Sequence, residues 1–401
     1  MTTHAIPKPD PASSVADAAA RARAILPELR ALSAEAEKER RLPAASVKLL
    51  HDHGLLRSLV LREWGGDELP LRGHLEVVST LAEGDGATAW VAGVAHAHAW
   101  LIGHLPKEAQ REVYGSDPDV LVSAVIGPRG KAVRRADGTY ALNGTWPFAS
   151  GCERSTWLML GAEVFDAGGA KVDEGDFLLP TSDAQIKDDW FVAGLQGTGS
   201  CTVVVADLAV PARRFVSLPQ LVARTHESYT APGIPPLVKS EAVPVLTLCI
   251  CSGALGLART ALDEYARVAN KPVAYTPYTW RDWIPNHVVL GEAASKVNAA
   301  ELLLFRVADD IDAYAQRGEP MPIALRGRMR GDCSYAVRLC LEATDALLMN
   351  AGASSLSLKS PLQRAARDLR ATNMHGLLLL DAAAELYGRV LLGFEPNTPI
   401  I

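Results

Sequence analysis

The chain of 401 residues has no apolar run of bilayer-spanning length; the longest candidate, residues 243–257, is broken by Pro244 and two glycines. It has no excess of positive charge. Lys and Arg number 40 against 46 Asp and Glu, a net charge of −6, so nothing in the balance points to nucleic acid or an anionic membrane. Six cysteines form no Cys-x-x-Cys pair, which leaves a metal site without support and favours buried thiols in a reducing compartment. No Gly-x-Gly-x-x-Gly follows a strand and opens a helix, so a nicotinamide dinucleotide has no site. Residues 1–14 are polar and Pro-rich and lack an apolar signal core; they read as the disordered tail of a cytoplasmic protein. Repeats and long low-complexity segments are absent.

What remains is the composition of a globular enzyme, with 48% hydrophobic and 21% charged residues, long enough for two or three subdomains. Helical periodicity covers 16–41, 43–50, 71–83, 88–103 and 106–114. From residue 120 the pattern turns to short strands, at 120–126, 132–135, 139–142, 157–164, 176–180 and 201–210, parted by Gly, Pro and Asp turns. Helices return at 243–269, 285–316, 323–350, 361–371 and 374–391. The expected layout is an N-terminal helical domain (15–117), a central β-barrel (118–218) and a C-terminal four-helix bundle (219–401), an α+β chain with a ligand cleft where the β block meets the helices.

One stretch carries chemistry. Residues 143–152 read Asn-Gly-Thr-Trp-Pro-Phe-Ala-Ser-Gly-Cys. Asn143-Gly144 is expected to turn a hairpin, and period two puts Trp146 and Phe148 on one face, with Ser150-Gly151 closing the strand. An aromatic surface beside a small hydroxyl suits a flat ligand with a polar edge; a core hairpin with a buried serine is the plainer alternative.

Four stretches, in order and at family-like spacing, resemble the acyl-CoA dehydrogenase superfamily along nearly the whole chain. They are 143–150, the Gly197-Thr-Gly-Ser200 run leading to Pro211, the Asn350-Ala-Gly352-Ala353 loop, and Pro361-Leu-Gln-Arg-Ala-Ala-Arg-Asp368. Two departures direct the reading. Where dehydrogenases of this family carry a catalytic glutamate, the chain has Asn373-Met374-His375-Gly376, with no base for the proton beside a thioester carbonyl. Where they carry Gly-Ser-Asp, it has Ser123-Ala-Val-Ile-Gly-Pro128. The chain instead resembles the two-component flavin-dependent monooxygenases, such as the oxygenase component of 4-hydroxyphenylacetate hydroxylase and indole-oxidising or N-oxygenating natural-product enzymes.

That resemblance implies reduced flavin (FADH2 or FMNH2) supplied by a separate NAD(P)H-dependent flavin reductase, O2, a flavin C4a-hydroperoxide, and an aromatic small-molecule substrate such as a phenol or indole. It implies a homotetramer, with no nucleic acid or membrane partner. Ser150 is placed at flavin N5, and Trp90, Ser123, Phe148 and Gly151 around the ring, with Trp146 adding to its apolar lining. His98 is the proposed base; His96, about 200° round the helix, cannot share its direction, and which of them faces the site stays open. His375 takes the position the glutamate vacates, with Asn373 expected to cap the last helix and the helix end to lower the His375 pKa. Arg281 is assigned to the flavin phosphates of a neighbouring subunit, with Gly352 and Ala353 letting backbone approach the same phosphates. Alternatives are N-oxygenation of an amine, an acyl thioester dehydrogenase or oxidase using Glu241 or Glu264, and DNA binding through the arginines between Arg326 and Arg370.

Overall fold

The computed structural model describes residues 15–267 and 270–401, so the expected tail at 1–14 lies outside the described residues. The N-terminal helices are α1 (Val15–Ala24), α2 (Leu26–Glu39), α3 (Ala44–Asp52), α4 (Leu71–Ala82), α5 (Gly86–Ile102) and α6 (Lys107–Tyr114). The run expected as one helix over 16–41 breaks at Ile25, because Pro27 cannot donate to the preceding turn. Seven strands follow: β1 (Val122–Arg134), β2 (Thr139–Ala149), β3 (Trp157–Phe165), β4 (Lys171–Pro180), β5 (Gln185–Lys187), β6 (Cys201–Pro211) and β7 (Phe215–Ser217). Then come α7 (Leu218–Val222), α8 (Ala242–Arg267), α9 (Ile284–Arg317), α10 (Ile323–Asn350), α11 (Pro361–Asn373) and α12 (Leu380–Leu391).

The strands make one sheet in the order β5-β6-β2-β1-β3-β4-β7, with only β1 and β3 parallel. It curls on itself. Tyr140 on β2 stacks edge-on with Phe177 on β4 at 5.2 Å, and Phe177 lies 4.7 Å from Phe215 on β7. Leu142, Trp146, Leu160, Phe177 and Val203 fill the hollow. The barrel expectation holds for the curl and its inner core; no ladder joins the β5 and β7 edges among the described residues.

β2 departs from the sequence reading twice. The turn is made not by Asn143-Gly144 but by residues 135–138, where Gly138 takes φ +82° and Asp137 Oδ1 accepts from Thr139 N. Asn143 stays in the strand at a register shift against β6, its Oδ1 accepting from Asp207 N at 2.7 Å. Gly144 is required for packing instead: a Cβ there would sit 2.5 Å from the Trp146 ring. Second, Trp146 and Phe148 do not share a face. A further register shift falls between Trp146 and Ala149, and Phe148 adopts φ +70°. One extra residue in a strand flips the alternation. Trp146 is wholly buried in the sheet, donating to Gly161 O at 2.7 Å, so it lines no cofactor surface. Phe148 turns outward and is 63% exposed.

The sheet packs through β1 on α5, while α8 joins the two helical blocks directly, running against α4, α5, α9, α10 and α11. At 26 residues α8 exceeds the apolar run read from the sequence and is long and apolar enough to span a membrane, yet 78% of its apolar window is buried in the protein, as a core helix is. All six cysteines are free and buried.

Where α4, α5 and α8 meet, His74 and His96 are fully buried. His96 Nε2 donates to Leu55 O at 2.7 Å, so its Nδ1 accepts from His74 Nδ1 at 3.0 Å. Burial holds His74 well below the usual imidazole range and His96 at about 4. The unfolded chain therefore binds protons that the fold refuses. Stability should be full above pH 6.5 and fall as pH drops toward 4, by on the order of 1.4 kcal/mol per pH unit for each such imidazole. Buried Asp119, Asp312 and Asp368 titrate in the same range with the opposite sign, so the check is the difference in denaturant melts from pH 7.5 to 4.5 between the wild type and a folded His74→Asn, His96→Asn variant; identical pH slopes contradict neutral burial.

Candidate active site

α5 starts at Asp85, whose carboxylate accepts from Thr88 N at 2.8 Å and Thr88 Oγ1 at 2.6 Å. The helix then presents two faces. His96 turns to α4, as above, and so is structural. Trp90, Val91 and His98 turn to the β1–β2 side. His98 Nδ1 lies 2.7 Å from Val122 O. A carbonyl only accepts, so Nδ1 carries the proton and Nε2 keeps its lone pair. Burial lowers the His98 pKa to about 4, which keeps that lone pair free at neutral pH.

Trp90 Nε1 donates to Ser150 Oγ at 3.0 Å. Ser150 follows the last residue of β2, immediately after the register shift that turns Phe148 outward, and Trp190 packs edge-on against Phe148 at 5.9 Å. Gly151 follows at φ +72°, and a Cβ there would meet Val91 Cγ1 at 2.9 Å. This close approach brings β2 onto α5.

His375 completes the group, its ring 5.9 Å from Trp90. Asn373 is the last residue of α11 and caps nothing; α12 begins only at Leu380. His375 itself caps the short turn 376–378, Nδ1 accepting from Leu377 N at 3.2 Å. Its proton therefore sits on Nε2, opposite to His98. The pKa falls to about 4 because of burial first and Arg330 second, not because of a helix end.

The other expected residues lie apart. Ser123 pairs in register with Leu158 and through it with Leu179, the strand face that lines the inside of the sheet, and its buried hydroxyl has no partner among the described residues. Arg281 is exposed and makes no ion pair among the described residues. It belongs to a second group with Gly352, which sits against Trp280 at φ +78°, and with Lys271, which donates to Ser354 Oγ at 3.1 Å. A groove of about 250 Å³ opens there between Arg267, Lys271, Ser354 and Lys359. Among Trp64, Trp90, Trp100 and Trp283, Trp64 donates to Gln110, Trp100 to Leu237 O, and Trp283 packs on Tyr278. Only Trp90 joins the site.

The two glutamates offered as relocated bases are committed elsewhere. Glu241 is buried against Arg224 and accepts from Met321 N at 2.8 Å; Glu264 pairs with Arg267. Apart from Arg338, the arginine run is likewise paired within the fold. Arg328 pairs with Asp310, Arg364 and Arg367 with Glu37, Arg370 with Asp345, and Arg330 donates to the carbonyls of Leu377 and Ile400.

Residues 17–117 match the model of the acyl-CoA dehydrogenase N-terminal domain, and residues 248–379 that of the C-terminal domain. Over 383 residues the chain is 33% identical to HsaA, the oxygenase subunit of a flavin-dependent monooxygenase from Mycobacterium tuberculosis, covering 94% of this chain and 95% of the relative. It is 31% identical to the oxygenase component of the FADH2-dependent resorcinol hydroxylase of Rhizobium sp., covering 92% of each. XiaF from Streptomyces sp., solved with FADH2 and glycerol, superposes with a TM-score of 0.91 at 32% identity, covering 96% of this chain and 97% of that one. The chain belongs to the oxygenase subunits of flavin-dependent monooxygenases, built on the acyl-CoA dehydrogenase fold.

For an oxygenase subunit, two features of this site were missed in the sequence. Trp190 backs Phe148, and Thr198 and Ser200 join Ser150 in a hydrogen-bonded row. The Gly197-Thr-Gly-Ser200 motif was visible, but its hydroxyls gave no sign of their direction. Gly151→Ala should lower stability by about 1–2 kcal/mol, from positive φ and the Val91 contact, and push Ser150 off Trp90. A thermal melt reads the stability and a crystal structure of the variant the Trp90–Ser150 distance; a wild-type melt contradicts the close approach.

Proposed function

We propose that this oxygenase subunit holds the ring of reduced flavin, FADH2 or FMNH2, against Phe148 with Ser150 at N5 and Trp90 and His375 beside it, and hydroxylates an aromatic small molecule such as a phenol or indole. The observation that carries this is the outward Phe148, held at a positive φ costing about 1–2 kcal/mol, two residues before a buried hydroxyl that Trp90 ties to the neutral His375 imidazole. An aromatic ring that is mostly exposed at a strained position, touching the fold at its edge through Trp190, suits a flat ring stacked on its open face.

When bound, reduced flavin supplies the two electrons that activate O2. The chain's own residues do the rest. Ser150 Oγ would accept a hydrogen bond from a donor N–H on the ring. His375 offers Nε2–H as a donor, and His98 offers the Nε2 lone pair as the base for a phenol O–H or indole N–H. Opposite tautomers, each fixed by a backbone partner, divide these roles. Trp90, Val91 and Leu121 make the wall apolar, which keeps water from the reacting centre.

The groove lined by Arg267, Lys271 and Lys359, with Gly352, Ala353 and exposed Arg281 beside it, is where flavin phosphates of a neighbouring subunit would be held. A homotetramer would cover the apolar side chains that α9 and α10 leave exposed, Ile284, Val288, Leu302 and Met349. A monomeric mass in light scattering contradicts that assembly. With no dinucleotide motif, the flavin is reduced by a separate NAD(P)H-dependent reductase, and the purified chain alone should not oxidise NADH.

The test is to mix the protein with anaerobically reduced flavin, then O2 and a panel of phenols and indoles, and weigh the products. Addition of one oxygen atom supports the reading; thioester-dependent bleaching of flavin without O2 contradicts it. His98→Ala should cut hydroxylation by about 100-fold or more while O2 is still consumed and released as H2O2. An unchanged product yield removes His98 from the role of base.

A further inference from the structure

A row of hydroxyls leads away from Ser150. Trp90 Nε1 lies 3.0 Å from Ser150 Oγ, Ser150 Oγ 2.8 Å from Ser200 Oγ, Ser200 Oγ 2.7 Å from Thr198 Oγ1, and Thr198 Oγ1 2.8 Å from Leu195 O. Both ends have a single role. An indole N–H only donates, and a carbonyl oxygen only accepts. Thr198 must give its proton to Leu195 O, so it accepts from Ser200. Ser200 then accepts from Ser150. Reversing any link would set oxygen lone pairs against each other at hydrogen-bond distance. The Ser150 proton is thus committed to Ser200, and what Ser150 has left to offer is a lone pair.

The far end of the row is anchored. Leu195 is buried at φ +51°, its N–H donates to Asp368 Oδ1 at 2.6 Å, and its carbonyl also accepts from Trp190 Nε1 at 3.1 Å. Gly151 N donates to Thr198 O at 2.8 Å, which ties the strand end to the same loop. Ser150, Thr198 and Ser200 are all buried, so water does not compete for these bonds.

Oxidised flavin presents a bare lone pair at N5, whereas reduced flavin presents N5–H. We propose that the Ser200–Thr198–Leu195 row makes Ser150 an acceptor only, and thereby gives the site its preference for reduced over oxidised flavin. Ser200 and Thr198 are positioning residues: they touch Ser150 or each other, and act on the flavin through Ser150. This rests on the reading that Ser150 faces N5.

The test is the ratio of dissociation constants for oxidised and reduced FAD and FMN, from anaerobic titrations of the full chain, with the midpoint potential of the bound flavin as a second readout. The wild type should favour the reduced form. Ser200→Ala or Thr198→Val frees the Ser150 proton to serve oxidised N5, and each should cut that preference about tenfold, the worth of one hydrogen bond. The two-electron potential of the bound flavin should then fall by about 30 mV. Thr198→Ser keeps the hydroxyl and should keep the wild-type ratio. Thermal melts confirm folding, and either folded variant suffices. A ratio unchanged in the folded variants, or both affinities weakened equally, overturns the proposal and leaves Ser150 at N5 intact. A Ser150→Ala variant that binds both forms like wild type instead removes the flavin from Ser150.

Discussion

The register shift between Trp146 and Ala149 is the constraint on which the site depends. Without it β2 would alternate strictly, and Phe148 would join Trp146 inside the curled sheet. With it, one ring stabilises the sheet interior and the next faces outward, at a backbone angle that favours glycine. The strain is tolerated because both neighbours are fixed. Trp146 is locked by its bond to Gly161 O, and Ser150 and Gly151 are locked by Trp90, Ser200 and Thr198 O.

Polar direction is the second layer. Each group in the site is oriented by a backbone or indole partner that has only one role. Val122 O gives His98 a free lone pair, and Leu377 N gives His375 a free N–H. The Leu195 carbonyl orders the hydroxyl row. Leu195 is held by Asp368, whose pKa burial pushes up to about 7, and Asp368 follows Arg367, which pairs with Glu37 on α2. The orientation of a serine on the sheet is thus tied to the packing of α11 against the N-terminal helices.

Much of the fold was legible because period and turn residues are local signals. α10 matches its expected span, and α5, α8 and α9 lie within two residues of theirs at each end. Trp90, Phe148, Ser150 and His375 were named from the family resemblance, and the structure gathers them. The failures concern what local patterns cannot show. Asn143-Gly144 has turn chemistry, but Gly144 is needed for a tryptophan ring arriving from two residues away. Period two cannot anticipate a bulge. Ser123 carries suitable chemistry, yet it falls on the inner strand face. Thr198 and Ser200 were invisible as site residues because the direction of a hydroxyl is set only once its neighbours are in place.

The central claim is that a flat reduced cofactor rests on Phe148 with its N5 at Ser150. A crystal structure grown anaerobically with reduced flavin tests it most directly. The account predicts the ring stacked on Phe148, N5 within about 3.2 Å of Ser150 Oγ, and no carboxylate in reach of it. A ring bound elsewhere, or Glu241 or Glu264 swung over N5, would contradict it.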